Sequence, residues 1–144
     1  MNLSNPVDAR KRAVEIQTRM LAEARSVVLR EGGFLSTAQL SQIVGCGRAQ
    51  LDSWQYEGKI FSIESDGEAY WPFYAFPEGQ AQPGQAIEAV LKIFGNTKNG
   101  WNLAFWFAAG NSFLDDARPQ DMLNVDPLGV VGAANEDIDE IQHG

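Results

Sequence analysis

The chain has 144 residues, of which 19 are acidic and 11 basic, so its formal net charge is −8. Hydrophobic residues make up 44% and charged residues 21%, a balance that is typical of globular proteins and argues against a disordered chain. No apolar run is long enough for a membrane span. The single cysteine, Cys46, excludes an internal disulfide. Together with the single histidine, His143, it counts against a His-based triad and a Cys/His zinc cluster. We therefore expect a cytoplasmic protein that is not an enzyme and has no cofactor.

The charge is unevenly distributed along the chain. Residues 1–30 carry a net charge of +3, whereas residues 31–80 carry −5 and residues 81–144 carry −6. The N-terminal segment is therefore the best placed to approach a polyanion, and the C-terminal third suits a basic protein partner. The alternative is that the N-terminal charges only solvate a helix face.

The N-terminal segment predicts one long helix over residues 8–31. Asp8 is the predicted N-cap, and Gly32-Gly33 ends the helix. A broad apolar stripe is predicted along this helix, formed by Val14, Ile16, Met20, Leu21, Ala24, Val27 and Val28. The stripe must pack either on the rest of the chain or on a second copy. Residues 1–33 are therefore a candidate dimerisation segment, and a homodimer is the corresponding expectation.

The next segment predicts two short helices joined by a glycine turn. The first begins at Ser36 or Thr37, and Gly45-Cys46-Gly47 forms the turn. The second begins at about Arg48 and ends at Gly58, with an inner face formed by Leu51 and Trp54. This pattern is typical of a helix-turn-helix, although any helical hairpin could produce it.

Residues 59–76 predict a β-hairpin that follows the two helices directly. Asp66-Gly67 is a strong hairpin turn, and Pro72 ends the pairing. A hairpin in this position is the wing of a winged helix-turn-helix. That module is predicted to span residues 34–76.

A polar, Pro- and Gly-rich connector at residues 77–84 separates this module from a second apolar region. Residues 85–144 predict a helical domain, with helices over 85–94, 101–109 and 128–141 and a helical turn over 118–123. The predicted fold class is therefore mainly α with a small β-hairpin: a winged helix-turn-helix plus a C-terminal helical domain.

Two stretches resemble known families. The first resembles the winged-helix DNA-binding module of MerR- and excisionase-type proteins, through Leu35-Ser36-Thr37-Ala38-Gln39-Leu40, Val44-Gly45, Arg48, Trp54, Glu57-Gly58-Lys59-Ile60-Phe61 and Asp66-Gly67. The second, over about 85–141, resembles the toxin-binding domain of the Xre/MbcA/ParS antitoxin family, through Trp101, Trp106, Asn111, Leu114, Pro119, Asp121, Leu123 and Ala133-Ala134. The resemblances imply an antitoxin-like transcriptional regulator that binds operator DNA and neutralises a cognate toxin. The recognition helix departs from the usual basic pattern, since only Arg48 and Lys59 are basic.

Candidate site residues follow from these interpretations. The candidate DNA-binding residues are Arg48, Gln50, Ser53, Gln55 and Lys59, because Arg and Gln can make bidentate contacts with base edges and Lys can contact phosphate. The candidate partner-binding residues are Trp101, Trp106, Asp115, Asp116 and Asp137. The alternatives are a solvated helix face for the first set, and plain core plus a solvated acidic surface for the second.

Two other functions stay open from the sequence. One is a stand-alone excisionase- or phage-type DNA-binding regulator without a toxin partner. The other is a protein-interaction module that no longer binds DNA, which the −5 charge of residues 31–80 favours.

Overall fold

A computed structural model describes residues 5–143. Within this range the chain forms seven α-helices, linked in places by short 3-10 turns. The helices are α1 (Pro6–Glu31), α2 (Thr37–Val44), α3 (Arg48–Tyr56), α4 (Gln85–Phe94), α5 (Gly100–Ala108), α6 (Pro119–Met122) and α7 (Pro127–His143). Across residues 5–143, no helix combines the length and the apolar character that crossing a membrane requires.

The three strands form one small antiparallel sheet. They are β1 (Phe34–Ser36), β2 (Ile63–Ser65) and β3 (Glu68–Pro72), in the spatial order β1-β3-β2. Phe34 lies opposite Pro72, and Ile63 lies opposite Tyr70. The predicted fold class, mainly α with a small hairpin, is thus confirmed. Strand β1 was not predicted, and it adds a third strand to the wing.

The helix-turn-helix forms for local reasons that the sequence displays. Ser36 caps α2 in a capping box with Gln39, since each side chain accepts a hydrogen bond from the other residue's backbone N–H. Gly45 ends α2 in the left-handed conformation, with φ +82°, which a side chain disfavours. Leu40 of α2 and Leu51 of α3 are both fully buried in the hydrophobic core. The turn thereby leaves the opposite side of α3 in solvent.

Helix α1 is longer at its N-terminus than predicted. The cap is Asn5, whose Oδ1 accepts a hydrogen bond from the Val7 backbone N–H at 3.0 Å. Asp8, the predicted cap, lies inside the first turn, where its charge favours the helix dipole. Only Val28 is buried among the α1 residues 6–31. Packing within the chain therefore accounts for the C-terminal end of the predicted stripe and not for the rest.

The C-terminal helices pack on the winged module through one continuous apolar core. The Phe61 and Phe107 rings stack with centroids 5.9 Å apart, which joins the segment before β2 to α5. Gly100, at the start of α5, lies directly against the Ser62 carbonyl oxygen. Residues 77–84 contain no helix or strand and connect two regions that share this core. The division into domains at that connector stays a prediction.

Candidate nucleic-acid interface

Helix α3 presents its polar side to solvent, as a recognition helix must. Leu51 is fully buried and Trp54 is half-buried, which confirms the predicted inner face. Because successive residues turn by about 100°, the side opposite Leu51 and Trp54 is centred on Ala49, Asp52 and Tyr56. All three of these residues are exposed. The exposed face is nine residues long and unobstructed by the rest of the described chain.

The sequence-predicted DNA-binding residues occupy the edges of this face. Arg48, Gln50, Ser53 and Gln55 are exposed, and Lys59 is half-buried just past the helix. The Gln55 amide donates a hydrogen bond to the Ser62 hydroxyl at 2.9 Å, which turns it toward the wing. At 100° per residue, Arg48 and Gln55 lie on the edge of this face that is nearer the wing, Gln50 lies on the opposite edge, and Ser53 lies between the edges.

Both cations of the site are paired with the site's own carboxylates. The Arg48 Nε donates to Asp52 Oδ1 at 2.9 Å, one helical turn along. The Lys59 ammonium lies 3.1 Å from Glu57 Oε2. Hydrogen bonds from Lys59 and then from the Ser53 hydroxyl lower the pKa of Glu57, so this carboxylate stays charged at neutral pH. The face of α3 is thus close to neutral rather than positive.

The Arg48 guanidinium also lies beside the buried core of the wing. Its central carbon is 6.0 Å from the centroid of the Trp71 ring. The Trp71 indole N–H donates to the Thr37 hydroxyl at 2.9 Å, which ties β3 to the start of α2. Arg48 is therefore held near the junction of the two helices and the sheet.

The wing itself is acidic. Glu64 on β2, Asp66 in the turn and Glu68 on β3 are all exposed. Asp66 adopts φ +53° and Gly67 φ +76°, the left-handed pair that a two-residue hairpin requires. This surface would repel a phosphate backbone, so the wing offers no substitute for the paired cations of α3.

Sequence reasoning missed two residues at the centre of the exposed face. Tyr56 is 93% exposed, and Asp52 lies one turn before it. Helical periodicity opposite Leu51 would have found both. Tyr56 supplies a flat ring and a hydroxyl for contact, whereas Asp52 supplies a negative charge that opposes DNA.

Two of the predicted partner-binding residues are engaged inside the C-terminal region. The Trp106 indole N–H donates to Asp137 Oδ2, and the Asn111 amide reaches the same oxygen at 3.4 Å. All three residues are half-buried. This group fastens α5 and the loop after it to α7, so its first role is structural.

Trp101 is likewise used within the chain. Its indole N–H donates to the Glu64 carbonyl oxygen at 3.2 Å, and the Arg25 guanidinium lies 5.0 Å from its ring centroid. Trp101 therefore joins α1, α5 and the wing. A partner reaches only the fraction of this side chain that those contacts leave uncovered.

Asp115 and Asp116 form the part of the predicted partner surface that lies open. Both are exposed, and both adopt positive φ, +55° and +68°. Phe113, two residues earlier, is 53% exposed beside Gly132 of α7. An apolar ring is thus bordered by two carboxylates on this side of the molecule.

Comparison with known proteins supports the fold. No protein-family model and no curated protein sequence matches this chain. The solved structure described as "NMR structure of Rv2175c" superposes with a TM-score of 0.62 at 17% sequence identity, covering 72% of this chain and 79% of that chain. At that identity the similarity concerns the fold alone.

Proposed function

We propose that the chain is a DNA-binding transcriptional regulator that places α3 in the major groove of an operator. The observation that carries the proposal is the open face of α3 on a helix-turn-helix, with Ser53 on the face and Arg48 and Gln50 exposed at its two edges. Arg pairs with guanine and Gln with adenine in the major groove. The cytoplasm is the location that fits this activity.

The ion pair between Arg48 and Asp52 does not prevent such a contact. Its side chains are 57% and 52% exposed, and exposed pairs contribute only about 0–1 kcal/mol. A guanine edge or a phosphate offers Arg48 a competing acceptor. Asp52 therefore lowers the affinity for DNA only modestly, and it favours DNA sites that offer Arg48 a strong acceptor in place of the Asp52 carboxylate.

A protein-interaction role without DNA is the second candidate. The neutral α3 face and the acidic wing residues Glu64, Asp66 and Glu68 favour it. Under this alternative the same exposed face would contact a protein through Tyr56 and its polar neighbours. The two candidates differ in whether duplex DNA binds at all at low salt.

Selection from a random duplex pool, followed by anisotropy titration of the enriched sequence, tests the proposal. We expect Arg48→Ala to weaken binding by about 1–3 kcal/mol and to relax the preference at one base pair. Asp52→Asn should strengthen binding, because it frees Arg48 and removes a charge that repels phosphate. The combination of opposite effects from two partners in one ion pair is specific to a DNA-facing α3.

Arg118→Ala is the matched control. Arg118 is 45% exposed and pairs with Asp121 at 2.7 Å, so it resembles Arg48 in exposure and pairing but lies at the N-cap of α6. It should leave DNA binding unchanged. Failure to enrich any duplex at low salt, or equal losses for Arg48→Ala and Arg118→Ala, contradicts the DNA-binding proposal and leaves the protein-interaction alternative.

The antitoxin part of the proposal concerns the C-terminal surface. Asp115 and Asp116 beside the exposed Phe113 suit a basic partner with an apolar contact at its centre. We propose that a cognate toxin binds there. The negative charge of residues 81–144 supports a basic partner of this kind.

Co-purification with the products of adjacent genes tests this part. Asp115→Asn together with Asp116→Asn removes two charges, and Asn tolerates the positive φ of both positions. The pair of changes should release a bound toxin, whereas Glu78→Gln, at an exposed acid elsewhere, should not. Retention of the partner by the double variant contradicts this surface assignment.

A further inference from the structure

Helix α1 exposes an apolar face that nothing in the described chain covers. Of the large apolar residues that the structure shows as exposed in residues 5–143, six lie on this one helix. They are Val7, Val14, Ile16, Met20, Leu21 and Val27, with exposures from 42% to 71%. At 100° per residue these six fall within an arc of about 180°. In proteins, most of the stability of an amphipathic helix comes from packing of its apolar face against another element.

The centre of this face holds two small residues, Ala13 and Ala24, together with the polar residues Arg10 and Gln17. Ile16, Met20 and Val27 form a ridge on one side of this strip, and Val14 and Leu21 form a ridge on the other. At Ala13 and Ala24 a second helix can approach closely and contact both ridges at once. One helix seated there would cover the whole apolar arc.

The size of the face supports a specific interface. An apolar side chain of this type has on the order of 100 Å² of surface to bury, so the six residues expose roughly 330 Å². Apolar patches above a few hundred Å² mark interaction sites. The alanines and the stems of the flanking arginines extend this area toward the roughly 800 Å² per partner of a standard interface.

We propose that α1 pairs antiparallel with α1 of a second copy of this chain. Each α1 helix is about 39 Å long for its 26 residues. Two such helices can bury their identical apolar faces against each other in an isologous two-fold contact. Overlap of the full helices places Ala13 of one copy opposite Ala24 of the other. The two globular bodies, each attached at the C-terminal end of α1, then lie at opposite ends of the pair.

The charges of α1 select the antiparallel orientation. The helix carries six basic and four acidic residues, a net charge of +2. A parallel pair would set Arg10, near the centre of the face, beside its own copy and would align the helix dipoles. The antiparallel pair brings Glu23 within one turn of the partner's Arg12 and opposes the dipoles. Some repulsion between two positive helices persists, so added salt should tighten the pair.

Sedimentation velocity of the full chain, without DNA, tests the pairing. We expect a monomer–dimer equilibrium between about 1 μM and 1 mM, shifted toward dimer by salt. Met20→Glu places a charge on one ridge of the face and should leave only monomer. Because Met20 is exposed in the single chain, folding is preserved, and circular dichroism verifies this. Val125→Glu, at an apolar residue 76% exposed outside α1, should dimerise normally.

Cysteine cross-linking tests the orientation. Ala13→Cys and Ala24→Cys chains, distinguished by a mass tag, should form the mixed disulfide when combined, and neither should cross-link to itself. Disulfides require Cα atoms within about 7 Å, so self-cross-linking at position 13 or 24 indicates a parallel pair. The native Cys46 is buried and stays out of the reaction.

Three results would overturn the inference. They are a monomer at every concentration, a dimer that survives Met20→Glu, and association that salt weakens. The last result would indicate that basic α1 docks on an acidic surface rather than on itself. Since every measurement is made without DNA, failure here and failure of the DNA-binding proposal are separately detected.

Discussion

Tyr74 places a polar hydroxyl in apolar surroundings. Its ring lies between Phe34 and Phe107, with centroid distances of 6.0 and 5.2 Å. Its hydroxyl is buried and has no hydrogen-bond partner among the described residues. Burial raises the pKa of Tyr74 well above its ordinary value. The ring therefore stabilises the core while the hydroxyl costs desolvation energy.

Tyr74→Phe keeps the ring and removes the unpaired hydroxyl. We expect the free energy of unfolding to rise by about 1 kcal/mol at pH 7, measured by urea unfolding. The wild type should lose stability as the pH rises above about 10, because the unfolded state then ionises more readily than the folded state. The variant should lose less over that range.

Tyr56→Phe serves as the control for this change. Tyr56 is almost fully exposed, so its replacement should alter stability by less than about 0.5 kcal/mol. A clear loss of stability in Tyr74→Phe at pH 7 would show that the hydroxyl is hydrogen-bonded in solution.

At the scale of single elements, the turn between α2 and α3 sets the direction of the proposed recognition helix. Gly45 needs its positive φ, and its backbone N–H donates to the Ser41 carbonyl at 2.8 Å. Gly47 is the N-cap of α3, with φ −96° and ψ 175°, and supplies no side-chain cap. A Cβ at either glycine would meet no atom within 4 Å. The two positions therefore differ in backbone conformation and not in available space.

The same substitution should have opposite effects at these two glycines. Gly47→Ser supplies a hydroxyl that can accept a hydrogen bond from a free N–H in the first turn of α3, and we expect a gain of roughly a few tenths of a kcal/mol. Gly45→Ser forces a side chain into the left-handed region and should cost about 1–2 kcal/mol. Urea unfolding measures both. Equal effects of the two changes would contradict the assigned cap geometry.

Elements that are marked by local sequence signals could be predicted from the sequence, whereas elements that depend on pairing with residues far away in the sequence could not. Capping residues and the glycine turn are local, so α2 and α3 were placed correctly. Strand β1 has three residues and exists because Phe34 pairs with Pro72, 38 positions away. No local sequence pattern predicts a strand partner at that separation. The Arg48–Asp52 pair follows an i, i+4 rule and was predictable, whereas the Gln55–Ser62 bond depends on how the wing folds back.

At the scale of the whole molecule, composition favours a boundary at residues 77–84, yet tertiary contacts join the two sides. The Trp101 bond to Glu64 and the Phe61–Phe107 stack both bridge them. Neither contact is visible in the sequence, because each depends on how α5 docks beside β2. One shared core predicts a single cooperative unfolding transition for residues on both sides.

Gly100→Ala tests this coupling, because Gly100 lies at the docking point of α5. A Cβ there would be 2.2 Å from the Ser62 carbonyl oxygen, so backbone must move, at a cost of about 1–3 kcal/mol. Exposure of the Cys46 thiol reports on the winged module, whereas tryptophan fluorescence reports on both sides, through Trp54 and Trp71 on one and Trp101 and Trp106 on the other. In a shared core, Gly100→Ala lowers both urea midpoints equally, and the fluorescence change stays a single transition. In two independent units, the Cys46 midpoint would stay at its wild-type value while the fluorescence change splits into two transitions. Gly47→Ser is the control, since no atom lies within 4 Å of its Cβ and Ser is tolerated at an N-cap, and it should shift both midpoints only slightly.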